Sequence, residues 1–142
     1  MKEGRFKLEP LNRYPHMGRE DAEVWVRAIG RLAPTALGVD YDVRVGPGLP
    51  VDPGAAENMK RDWLLLTQLR IDAVVYFPQE VWIIEVKPRL LPSALGQIMA
   101  YGYWWERESD QTKAHKLVVV CERDDAQLSP VFGQSGIKVM IV

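Results

Sequence analysis

Apolar side chains recur at helical spacing twice along the chain and fill strand-like runs five times. In GREDAEVWVRAIGRLAPT, Val24, Trp25, Ala28, Ile29 and Leu32 fall on one stripe at 100° per residue, which predicts a helix over about 21–33, ended by Pro34. Glu20, Glu23, Arg27 and Arg31 fall on the opposite face, with Glu23 and Arg27 spaced as an ordinary surface pair. Asp21 shares the apolar face and is either the N-cap of this helix or a group turned inward. VDYDVRVG alternates, with Tyr41, Val43 and Val45 on one face, and predicts a strand; GPGLPVDPG after it is rich in turn residues. AAENMKRDWLLLTQLRIDAVVYF holds either a short helix before a strand or a strand beginning as early as Leu65, and both readings contain a strand over 68–77. A further strand spans 80–87 and stops at Pro88. PRLLP is a rigid connector, a second helix covers 93–107, and HKLVVVCE and GIKVMIV are the last two strands. The order α-β-β-β-α-β with a terminal strand predicts the α/β class, a sandwich around a central mixed sheet.

At 142 residues the chain is one domain that can bury a core without disulfide or metal staples. With 47% hydrophobic and 26% charged residues, neither disorder nor a coiled coil fits. Cys121, alone in the apolar run LVVVC, forms no internal disulfide and reads as a buried strand thiol in a reducing compartment. The apolar runs are short and the start MKEGRFKLEP is polar, so a soluble, intracellular (cytoplasmic) protein without membrane contact is expected. A formal charge of −1 excludes whole-molecule basicity as the basis of DNA binding, which would need a local patch. Candidates are Lys2, Arg5, Lys7, Arg13 and Arg19 near the N-terminus, Lys60 and Arg61 in a loop, and Arg70 and Arg89 beside the central strands. His16 and His115 have no Cys or His at zinc spacing.

The stretch RIDAVVYFPQEVWIIEVKP places Asp72, Glu85 and Lys87 inside apolar runs. With Pro78 and Gln79 as the loop of an antiparallel hairpin, Phe77 pairs with Glu80, and counting outward sets Asp72 opposite Glu85. Like charges so placed repel. Lys87 shares the face of Glu85, and a divalent cation would supply the remaining positive charge; carboxylate oxygens plus water suit Mg²⁺. On the following helix Gln97, Tyr101 and Trp104 line one side, with Leu95, Met99 and Gly102 on the other. Gln97 and Tyr101 either bind a phosphate or order a water beside the hairpin, or else Tyr101 and Trp104 are core residues and Gln97 caps a strand end.

RID, then IIEVKP at hairpin spacing, then a helix bearing QIMAY, together resemble the PD-(D/E)XK nuclease superfamily, and the QxxxY spacing is most similar to its RecB-type exonuclease branch. The resemblance covers about residues 20–122, leaving 1–19 as an N-terminal arm, and implies a restriction-endonuclease-like αβββαβ fold. It implies Asp72, Glu85 and the Val86 carbonyl as ligands of Mg²⁺ or Mn²⁺, Lys87 as the catalytic lysine, Gln97 and Tyr101 as the helix motif, and a first-helix acid as a further metal ligand. Periodicity favours Asp21 for that position over Glu20 or Glu23, where the family often has Glu; Ile71 stands where the family motif has Pro. The function implied is metal-dependent hydrolysis of DNA phosphodiester bonds in phage or bacterial DNA processing, recombination or repair, with a homodimer required for clean duplex cleavage. A catalytically silent domain of the same fold, binding DNA or protein, is the competing expectation. A third is an unrelated α/β protein in which Glu85 and Lys87 form an ion pair.

Overall fold

The computed structural model describes residues 3–14 and 16–142; Lys2, one of the basic candidates, lies outside the described residues. The chain runs α1 (Arg19–Leu32), β1 (Gly38–Val45), α2 (Glu57–Thr67), β2 (Leu69–Tyr76), β3 (Glu80–Arg89), α3 (Pro92–Glu108), β4 (Ala114–Arg123), α4 (Ser129–Gln134) and β5 (Ile137–Ile141). The strands form one open sheet in the order β1-β2-β3-β4-β5. β1, β2 and β3 are antiparallel, whereas β3, β4 and β5 are parallel, so the sheet is mixed as expected. The parallel half needs crossovers, which α3 and α4 supply.

Val24, Trp25, Ala28, Ile29 and Leu32 of α1 are buried, and they pack with Ala73, Val75, Ile84, Val86, Val118 and Val120 on one face of the sheet. Ala94, Ile98, Tyr101 and Trp105 of α3 pack with Val74, Val81, Ile83, Val119 and Cys121 on the other. Both faces are covered, which is why the central strands read as near-continuous apolar runs. Gly102 also faces the sheet: a Cβ there would stand 2.8 Å from Leu117 Cδ2, so the glycine sets how closely α3 approaches β4.

Several boundaries differ from the sequence reading, each for a physical reason. Asp21 does not cap α1; Gly18 holds the N-cap position and Asp21 lies within the first turn. Tyr41, Val43 and Val45 do not share a face. Tyr41 packs on the α1 side and Val43 and Val45 on the α3 side, because Asp42 adopts φ +51° and turns the strand over between them. The ambiguous segment 55–68 is α2, so Lys60 and Arg61 sit on a helix rather than in a loop. β3 continues through Pro88 to Arg89, since β2 has already left that edge and the missing N–H of the proline costs no ladder bond.

Candidate active site

The hairpin of β2 and β3 closes on Pro78 and Gln79, with the Phe77 N–H donating to the Glu80 carbonyl at 2.9 Å. Its register pairs Tyr76 with Val81 and Ala73 with Ile84, and one further step sets Asp72 opposite Glu85, as counting from the loop predicts. The β2–β3 ladder ends at Ala73 and Ile84, just before that step. Beyond it the Asp72 side chain replaces a backbone partner: its Oδ2 accepts the Val86 N–H at 2.8 Å. Because N–H and C=O of one strand residue leave the same edge, the Val86 carbonyl also turns toward the notch where the two strands part.

Glu85 is only 3% exposed. Its Oε2 accepts the Tyr101 hydroxyl at 2.7 Å, and burial together with the nearby Glu85 charge raises the phenol's pKa, so Tyr101 remains the donor. Burial also pushes the Asp72 carboxyl up, to about 9, and the hydrogen bond to Glu85 and its charge add to this; the Val86 N–H opposes it. The Asp72 carboxyl therefore favours its protonated form beside Glu85.

The remaining candidates gather around this pair unequally. Asp21 reaches its neighbourhood from α1: burial raises its pKa, while Lys87 lowers it and Glu85 raises it further. Glu20 and Glu23 are exposed. Lys87 is half-buried and forms no ion pair with Glu85 or any other acid among the described residues, which removes the ion-pair expectation for these two side chains. Gln97 lies one helical turn before Tyr101, and its Oε1 is buried without a hydrogen-bond partner. Trp104 does not join them; its ring lies over Gly46 at the far end of β1.

One residue of this cluster escaped the sequence reading. His16, on the N-terminal arm, has a side chain 3% exposed and places Nε2 3.6 Å from Asp72 Oδ1, while neither ring nitrogen makes a hydrogen bond. Burial lowers its pKa, outweighing the pull of the Asp42 carboxylate and the Asp72 backbone, so the ring is a neutral nitrogen donor at neutral pH. The arm is held by Phe6, which bridges Val39 of β1, and by Tyr14, whose ring meets Tyr41 edge-on with centroids 5.2 Å apart. No zinc-type spacing marks His16 because its neighbours are carboxylates brought in from other elements. Asp42, opposite Asp72 on β1, takes both Arg70 Nε and Nη2 at 2.6 and 2.9 Å, so Arg70 is committed to that pair.

Hard oxygen donors and water suit Mg²⁺ or Mn²⁺, and Asp72, Glu85 and the Val86 carbonyl are the groups that would hold such an ion. Among the described residues no three His, Cys, Asp or Glu side chains converge as a ready-made metal cage. Mg²⁺ commonly keeps several waters and takes one or two carboxylates, a mode that the Asp72 and Glu85 carboxyls would fit. Also among the described residues, no helix is long and apolar enough to cross a membrane. Comparisons with family models, curated proteins and solved structures returned no match to this chain.

Proposed function

We propose that the chain is a Mg²⁺- or Mn²⁺-dependent deoxyribonuclease of the restriction-endonuclease-like αβββαβ type, similar to the RecB-type branch of PD-(D/E)XK nucleases, acting in DNA processing, recombination or repair in a phage or bacterial setting. One observation carries this reading: the Asp72 and Glu85 carboxyls meet across the hairpin, Glu85 almost wholly buried, while Lys87 on the same strand forms no ion pair among the described residues. A pair built for stability would have been neutralised by the nearby lysine.

A divalent cation held by Asp72, Glu85 and the Val86 carbonyl would supply a more acidic water and offset charge on the phosphodiester. The chain's own groups do the rest. Tyr101 fixes the Glu85 carboxylate through its hydroxyl and keeps it in one rotamer. Lys87, which forms no ion pair among the described residues, orients the attacking water or steadies negative charge on the phosphate as it develops. Asp21 and His16 flank the pair from α1 and the arm and supply one further oxygen and one neutral nitrogen.

The silent-domain reading draws on a different observation, the lack of a three-residue metal cage among the described residues. Wild type, Lys87→Ala and Glu85→Ala separate the two when melting, DNA binding in Ca²⁺ and cleavage of labelled DNA in Mg²⁺ and Mn²⁺ are measured together. Linear duplex, single-stranded, flapped and four-way DNA serve as substrates. The expected outcome is cleavage by wild type and its loss by a factor of roughly 10²–10⁴ in Lys87→Ala, which still folds and binds DNA. Binding by wild type without cleavage of any DNA form would establish the silent domain instead.

A further inference from the structure

The eleven-residue helix α2 buries none of its side chains, although WLLL forms its second half. Leu66 is 78% exposed and Met59 61%, with Trp63, Leu64 and Leu65 also exposed; Leu49, at 61%, and Val51 extend the patch into the preceding loop. Loop and helix form one unit. Trp63 Nε1 donates to the carbonyls of Leu49 and Pro50 at 3.0 and 3.1 Å, and the Leu49 N–H donates to Thr67 Oγ1 at 2.9 Å. Arg44 Nε ties the helix to β1 through the Leu65 carbonyl at 3.1 Å. A helix this short is marginal on its local bonds alone, so a covered apolar face has to supply the remainder.

The character of the surface decides what covers it. A DNA backbone or an anionic membrane calls for an excess of Lys and Arg, but α2 balances Lys60 and Arg61 with Glu57 and Asp62, and Lys60 lies on Glu57 at 3.4 Å. Met59, Trp63 and Leu66 recur at i, i+4 and i+7, the spacing of a two-helix seam. Such a stripe is complementary to its own copy across a two-fold axis. The exposed side chains amount to several hundred Å² of apolar surface, of the order of the ~800 Å² per partner that a standard interface buries.

We infer that α2 and Leu49 form the surface through which two copies of this chain dimerise. This stands on the apolar surface itself; its consequence for cutting rests on the nuclease reading. α2 runs through Gln68 directly into β2, which carries Asp72. A two-fold at α2 therefore sets two Asp72–Glu85 pairs in one particle, as paired cuts in a duplex require.

Light scattering on a size-exclusion column, over about 5–200 µM protein and without DNA or metal, tests the dimer independently of cleavage. Wild type should elute at twice 16.2 kDa. Leu66→Glu should run at the monomer mass and still melt cooperatively, whereas Leu11→Glu, at an exposed leucine elsewhere, should remain dimeric. Should Leu66→Glu not fold, Leu66→Gln decides by the same measurement: it removes the apolar contact without adding charge, and the monomer mass is expected. Wild type at the monomer mass throughout, or a dimer that survives Leu66→Glu or Leu66→Gln, would each overturn the inference.

Discussion

The Tyr101 hydroxyl donates to a carboxylate that is almost wholly removed from water. Removing it in Tyr101→Phe leaves Oε2 of Glu85 without that partner and creates little new space. A stability loss of about 1–3 kcal/mol is therefore expected in metal-free buffer, read by chemical denaturation. In millimolar Mg²⁺ the loss should shrink, because a cation offers the carboxylate a second way to be satisfied. An equal loss with and without Mg²⁺ would assign Tyr101 to the core alone. His16→Ala bears on the same cluster from the opposite side: its side chain is 3% exposed, so truncation should lower stability without metal by leaving a cavity and should also weaken Mn²⁺ binding, measured by calorimetry. The sequence made the Tyr101 position legible, because a polar group one turn from Gln97 follows from helical spacing. It left His16 out, since the arm reaches the sheet through a long-range bridge at Phe6 that no local pattern announces.

Elements were legible wherever burial on both faces gave long apolar runs. The β2–β3 register followed from a two-residue loop and simple counting, and α1 from its stripe. α2 was ambiguous for the opposite reason: its apolar residues face no partner within the chain, so their periodicity has no core to point to. β1 misled because alternation assumes extended backbone at every step, and Asp42 breaks it with φ +51°. That residue makes a second prediction at this scale. Asp42→Asn keeps a side chain that tolerates the left-handed region and loses the Arg70 pair, whereas Asp42→Val adds a β-branched residue there. Thermal denaturation should place Asp42→Val at least about 1 kcal/mol below Asp42→Asn. Equal stabilities would mean that β1 does not need the turn at this position.

For the whole molecule, the raised Asp72 pKa sets a pH dependence. The Asp72 carboxyl has an ordinary pKa of 3.8 and stands at about 9 in the fold. A raised carboxyl pKa favours the protonated fold, so its contribution is complete below about pH 4 and is lost as pH rises through about 9. Without metal, the melting temperature of wild type relative to Asp72→Asn should fall between about pH 5 and pH 9. Added Mg²⁺ competes with that proton, so the stabilisation it gives should be larger at about pH 8 than at about pH 5, and absent in Asp72→Asn. A Mg²⁺ effect independent of pH would show that the ion binds elsewhere.

The order in which the sheet assembles follows from the same hairpin. β2 and β3 are joined by two residues, whereas β1 must close over α2 and the parallel strands over α3 and α4. Loop-closure entropy therefore favours β2–β3 as the earliest pairing, before the faces of the sheet are covered. Two carboxylates are then brought together in the transition state, ahead of most of the apolar burial that compensates for them. The site thus opposes the first step of folding as well as the final state. Stopped-flow refolding of wild type should be slowed by rising pH, and Asp72→Asn should refold faster at neutral pH and lose that dependence. A wild-type refolding rate that does not change with pH, with all the effect in unfolding, would put the meeting of Asp72 and Glu85 after the barrier.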